Sequence, residues 1–101
     1  MVKQIKCNGE IHPISISYYA ISKLEAETGK GIGDLGDGGL SLYEPLFFYA
    51  LEAGYRAEKK IFSIKREDIV FMLDECWLDF TSIMGEFFSD VTNHNEKKQK
   101  K

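Results

Sequence analysis

Residues 42–53 read Leu-Tyr-Glu-Pro-Leu-Phe-Phe-Tyr-Ala-Leu-Glu-Ala, a stretch apolar on nearly every side of a helix. Leu42, Leu46, Tyr49 and Ala53 form one stripe at helical spacing. Tyr43, Phe47, Ala50 and Leu51 form a second, extended by Phe48 and Tyr55. Only Glu44 and Glu52 interrupt the pattern with charge. A helix of this kind either lies at the centre of its fold or keeps a second face for a partner. A chain of 101 residues has room for one small core, which favours the central placement. The second face, if exposed, makes Tyr43, Phe47, Phe48, Leu51 and Tyr55 the candidate partner-binding residues. Ser41-Leu42-Tyr43-Glu44 has the form of a capping box, Pro45 fits a first turn, and Gly54 falls near the expected end.

The segments before this helix are marked by turn chemistry. In Cys7-Asn8-Gly9-Glu10, Asn-Gly occupies the two positions of a tight turn that need positive φ, so residues 1–17 are expected to form a β-hairpin. A two-residue loop pairs positions whose numbers sum to 17. Met1, Ile5 and Cys7 then share a face with Ile14 and Ile16, and that face belongs on the core. Pro13 lacks a donor and suits an edge position. Residues 18–28 follow as an amphipathic helix, with Tyr18, Ile21, Leu24 and Glu25 on one stripe, Ser17 as N-cap and Gly29 as stop. Six of the eleven residues 29–39 are glycine, which marks a loop.

After the apolar helix, a third is expected over residues 65–77, with Ile69, Met72, Leu73, Cys76 and Trp77 facing inward. A fourth is expected over 79–91, with Phe80, Ile83, Met84, Phe87, Phe88 and Val91 at the same spacing. Eleven of the thirteen aromatic residues lie between Tyr43 and Phe88, which assigns the core to these last three helices. The fold class is α+β: about four helices, an N-terminal hairpin and a disordered basic tail. The chain reads as one domain over residues 1–92, followed by a lysine-rich tail over 93–101.

Charge and composition exclude several functions. The tail holds four lysines and one glutamate, a formal +3; the preceding residues hold nine cations and fifteen carboxylates, a formal −6. An acidic body repels phosphate backbones, so nucleic-acid binding is not expected. A helix-turn-helix made from the last two helices would present Asp79, Glu86 and Asp90 to DNA with no Lys or Arg. No apolar run approaches a membrane span, and residues 1–9 hold no signal-peptide core, so neither membrane insertion nor export is expected. Cys7 and Cys76 are spaced neither as a metal knuckle nor as a redox pair, and are expected to stay reduced as small core hydrophobes.

Gly31, Gly33 and Gly36 match GxGxxG literally, but a helix precedes them where dinucleotide binding needs a strand. His12 and His94 are far apart, and no three metal ligands converge. The carboxylate pairs sit in surface patterns, and His12 is expected as a half-exposed strand residue near Ile5. No catalytic, cofactor or metal site is therefore assigned, and the chain reads as a non-enzyme whose notable surface is apolar and aromatic. Trp77, Phe87 and Phe88 are further candidates for that surface.

The order of segments carries a resemblance. A short hairpin leads into a helix ending Leu24-Glu25-Ala26-Glu27-Thr28-Gly29, then a glycine-rich linker with Asp34-Leu35. An apolar helix ends Tyr49-Ala50-Leu51-Glu52-Ala53-Gly54, and Ile64-Lys65-Arg66-Glu67-Asp68-Ile69 opens the next. Across residues 2–90 this resembles the small tail assembly chaperones of long-tailed bacteriophages and prophages. The resemblance implies a mainly helical protein of the bacterial host cytoplasm. It would bind apolar helical segments of the tape measure protein, keep that protein soluble before the tail tube forms, and be absent from the mature particle. It also implies a second, longer product made by translational frameshift, for which an A-rich codon run at Lys97-Lys98-Gln99-Lys100-Lys101 is the expected place. The alternative reading is a small structural or adaptor subunit of a phage particle, stable as a homo-oligomer.

Overall fold

The computed structural model describes residues 2–34 and 40–99, with side chains described except at positions 32, 40 and 91–99. The element order is β1 (Lys3–Cys7), β2 (Glu10–Ile14), α1 (Tyr18–Thr28), α2 (Leu40–Ala57), α3 (Ile69–Glu75) and α4 (Trp77–Gln99). Short 3₁₀ turns precede α2, at Ile32–Asp34, and α3, at Arg66–Asp68. This is the α+β arrangement of four helices and one hairpin that the sequence implies.

The hairpin has the expected register. Asn8 and Gly9 take φ of 54° and 84°, and Ile5 pairs with His12 and Cys7 with Glu10. Ile5, Cys7 and Ile14 are buried on its inner face, with Ile16 packed at the margin; Met1 lies outside the described residues. In α1, the Ser17 hydroxyl accepts from the Ala20 amide, and Gly29 closes the helix at φ 74° with its amide donating to the Glu25 carbonyl. The buried face of α1 is Ala20 and Leu24, whereas Tyr18 points to solvent, against the stripe expected from its spacing.

The centre of the molecule is α2. Leu42, Leu46, Phe47, Ala50, Leu51 and Ala53 are all buried, and α1, β2 and α3 pack around them. The core is therefore centred on α2 and shared by every element, rather than confined to the last three helices. This helix is also longer than its sequence signals suggest. It begins at Leu40, so Ser41 is not its cap and Pro45 sits inside it, buried. It passes through Gly54 to Ala57 because Gly54 is a contact point, not a stop. A Cβ there would meet the carbonyl group of Pro13 and the amide nitrogen of Ile14, so only glycine lets β2 cross this turn. The Ser15 amide donates to the Ala50 carbonyl (2.9 Å) at the same crossing. The actual end is a Schellman motif around Lys59 (φ 58°), with Lys60 N–H on Tyr55 O and Lys59 N–H on Arg56 O.

Two further expectations are corrected. Cys7 and Cys76 are joined as a disulfide, with Cα atoms 5.1 Å apart across a sequence separation of 69. Strand β1 runs against α3 and α4, and this brings Cys7 to the corner between those helices. His12 is buried (8% exposed) rather than half-exposed, because Tyr55 of α2 covers it and shares a hydrogen bond with its Nδ1 (2.7 Å).

The third and fourth helices meet at Cys76, whose φ of −119° and ψ of 26° break the helix one residue before Trp77. Ile69, Leu73, Cys76, Phe80, Ile83 and Met84 face the core as their spacing implies. The backbone of α4 continues beyond Val91 to Gln99. The lysine-rich tail falls on residues whose side chains, or whole positions at Lys100 and Lys101, lie outside those described.

Candidate functional site

Among the described residues, the corner where α3 turns into α4 brings together three of the exposed large apolar side chains. Val70, Phe71 and Leu78 are 53%, 71% and 79% exposed. Their exposure follows from geometry. The inward stripe of α3 uses Ile69, Leu73 and Cys76, so Val70 and Phe71 fall on the opposite side. The break at Cys76 then starts α4 with Trp77 at the margin and Leu78 outward.

Between this corner and α2 lies an open groove of about 630 Å³. Its walls are Tyr43, Val70, Phe71, Leu73 and Trp77, and its polar rim includes the carboxylates Glu44 and Asp74. One wall is fixed by a ladder of edge-to-face rings. Trp77 meets Tyr43 at 5.3 Å, Tyr43 meets Phe80 at 6.5 Å, and Phe80 meets Phe47 at 5.0 Å. Such ring pairs contribute about 0.5–1.5 kcal/mol each beyond area burial, so the wall is tied into the core and preformed. A neighbouring depression shares Asp74 and Trp77 and adds Glu75, Leu78 and Asp79. The apolar groove is thus continued by a more acidic depression that shares Asp74 and Trp77 with it, and no Lys or Arg is among the residues lining either.

The position of α3 is held by Arg66 in the turn before it. Its guanidinium forms a two-pronged pair with Glu27 of α1 (3.0 and 2.6 Å), and its Nε donates to Glu44 of α2 (3.3 Å). It also stacks over the rings of Phe48 (4.8 Å) and Tyr49 (5.6 Å), and the Tyr49 hydroxyl donates to Glu27 (2.8 Å). The Arg66 hydrogen bonds hold the Glu27 carboxyl below its ordinary value, against the opposing effect of burial. Burial, and then the hydrogen bond to Glu27, pushes the Tyr49 hydroxyl up. One arginine thus ties three elements together and aims the outer side of α3 away from the body.

The residues singled out from sequence separate into two groups. Phe47 and Leu51 are fully buried and cannot touch a partner in this fold, which removes these two from the partner-binding candidates as a correction. Phe48 and Tyr55 are half-buried, the first under Arg66 and the second against His12 and Phe62. Only Tyr43 lines the groove. Of the other candidates, Trp77 is a groove wall, Phe87 lines a smaller depression with Ile14, Ile16 and Ile83, and Phe88 is exposed beside it. Val70, Phe71 and Leu78 were legible in principle: each is a large apolar residue off the inward stripe of its helix, where a single-faced helix would carry a polar one.

Among the described residues no group of three or more His, Cys, Asp or Glu side chains is arranged to hold a metal ion. Among them, too, no helix is long and apolar enough to cross a membrane. The Gly31 amide donates to the Asp34 carboxylate (3.0 Å), closing the 3₁₀ turn of the glycine-rich segment upon itself; residues 35–39 lie outside the described residues. Compared with protein families, curated proteins and solved structures, the chain matches none.

Proposed function

We propose that this protein is a phage tail assembly chaperone, a binding protein without catalysis that covers apolar helical segments of the tape measure protein before the tail tube forms. The observation that supports it most is the α3–α4 corner: three large apolar side chains, more than half exposed, beside a preformed groove on an acidic body. A tape measure protein is long and helical, and its apolar stripes aggregate when left bare. A helper with one apolar face can cover a stripe, while its −6 body keeps the complex soluble and separates neighbouring copies. Binding of this kind is weak per site and gains from many copies on one long partner, which also allows release during assembly.

The same reading expects the protein in the host cytoplasm and outside the finished particle, and expects an A-rich codon run at Lys97 to Lys101 as the frameshift site, which the DNA sequence there would test.

Co-expression with the tape measure product of the same gene cluster is the test. The proposal expects that product to move from the insoluble to the soluble fraction and to co-purify with this chain. An unchanged distribution would reject it, as would stoichiometric recovery of this chain in purified particles, the outcome expected of a structural or adaptor subunit.

A further inference from the structure

The carboxylates at the groove rim say more about the occupant than its apolar walls do. The track formed by Phe71, Trp77 and Leu78 is edged by Glu44, Asp74, Glu75 and Asp79. Glu44 is met by Arg66, but no ion pair joins Asp74, Glu75 or Asp79 to a cation among the described residues. We infer that this track receives a single amphipathic helix whose apolar stripe is flanked by Lys or Arg. Apolar residues at i, i+3, i+4 and i+7 would lie on Phe71, Trp77 and Leu78, and the flanking cations would face the rim. The inference deepens the chaperone reading and rests on it only for which protein carries the helix.

Other occupants fit less well. The groove is open along one side and adjoins the depression that holds Leu78, so it does not enclose a small molecule as a ligand pocket does. A second copy docked face to face would bring the Asp74, Glu75 and Asp79 carboxylates of both copies into one interface with no Lys or Arg lining it, and like charges so gathered repel. The lysine-rich tail of another copy has the right charge, but residues 93–101 contain no apolar side chain to fill the walls. A basic-flanked helix satisfies the walls and the rim together.

Trp77 is the only tryptophan in the chain and stands in the groove wall, so its emission reports occupancy directly. The full chain is titrated with a synthetic helix of about 18 residues, roughly five turns, carrying a leucine stripe flanked by lysines. A second peptide has the same stripe flanked by glutamates. The lysine peptide is expected to shift Trp77 emission and to bind at least about tenfold tighter than the glutamate peptide. Its affinity should fall as salt rises from about 0.05 to 0.5 M. The exposed substitution Asp74→Lys, checked for an unchanged melting curve, is expected to narrow the preference, and Asp74→Lys with Glu75→Lys to remove it.

Equal binding of the two peptides, tighter binding of the glutamate peptide, or no emission change with either would overturn the inference. The two proposals fail separately. Peptide discrimination without protection of the tape measure product would leave the groove assignment and remove the chaperone reading. Protection without discrimination would do the reverse.

Discussion

Helix α2 and the α3–α4 corner are both apolar on more than one side, yet the fold treats them oppositely. Around α2 most of the apolar surface finds a neighbour: α1 on one side, β2 at Gly54, and α3 with the Phe80 ring of α4 elsewhere. At the corner only the inward stripe is covered, and Val70, Phe71 and Leu78 remain in water. Apolar character all round a helix therefore says nothing by itself about a partner. What matters is how many neighbours the topology can bring to it. A central helix uses its extra apolar sides for packing, whereas a peripheral pair has them left over for something outside the chain.

The largest effect that could break this comparison is at Phe47. Phe47→Asp is expected to unfold the protein, since it places a charge among fully buried side chains, and even Phe47→Ala should cost about 3–5 kcal/mol. Phe71→Asp, on an exposed position, should change stability by less than about 0.5 kcal/mol. Urea titrations of the two variants check both values. Equal destabilisation would erase the distinction between the regions.

The disulfide joins the hairpin to the corner, so its removal sharpens the contrast. Closing a loop across 69 residues stabilises by about 4 kcal/mol in the loop-entropy account, and measured losses centre on about 2–4. Cys7→Ser with Cys76→Ser is expected to lower the unfolding free energy extrapolated from urea titration by that amount, and reductant should shift the wild type but not the variant.

Gly54→Ala comes next. Alanine is the better helix former by about 1 kcal/mol, but its methyl would displace the Pro13–Ile14 backbone at a typical cost of about 1–3. A net loss of stability is expected, and a gain would show that β2 does not cross α2 so closely.

The smallest effect concerns Arg66. The Glu27 carboxyl is held below its ordinary value of 4.5, first by the hydrogen bonds from Arg66. A depressed folded value means that this contribution is present above the unfolded value and is lost as pH falls through the folded one. Both side chains are about a third exposed, so the pair contributes only about 0.5–1 kcal/mol. Arg66→Ala, which also removes the Glu44 hydrogen bond and the stacking on Phe48 and Tyr49, should cost at least that much at pH 7 and flatten the loss of stability below about pH 4.5, as urea titrations at pH 7 and pH 3 would show.

Local chemistry made part of this fold legible. Asn8-Gly9 gives the hairpin register, Ser17 and Gly29 bound α1, and the apolar run of α2 points to the centre. Long-range proximity was not legible. Gly54 looks like a helix stop because glycine commonly ends helices, and only the passage of β2 explains it inside one. Cys7 and Cys76 look like separate core thiols because nothing local shows β1 meeting the α3–α4 corner. The candidate site was half legible. Tyr43 and Trp77 were singled out among apolar helix residues. Val70, Phe71 and Leu78 lie off the inward stripe of their helices, and only the three-dimensional corner shows that no other element covers them.

The central claim is that the exposed corner and the groove beside it, not the buried stripe of α2 around Phe47 and Leu51, meet the partner. Its most direct test is co-expression of the tape measure product with Phe71→Asp/Leu78→Asp, after confirming that the variant melts like the wild type. The account predicts that the partner returns to the insoluble fraction while the variant itself stays folded and soluble. A partner kept as soluble by the variant as by the wild type would contradict it.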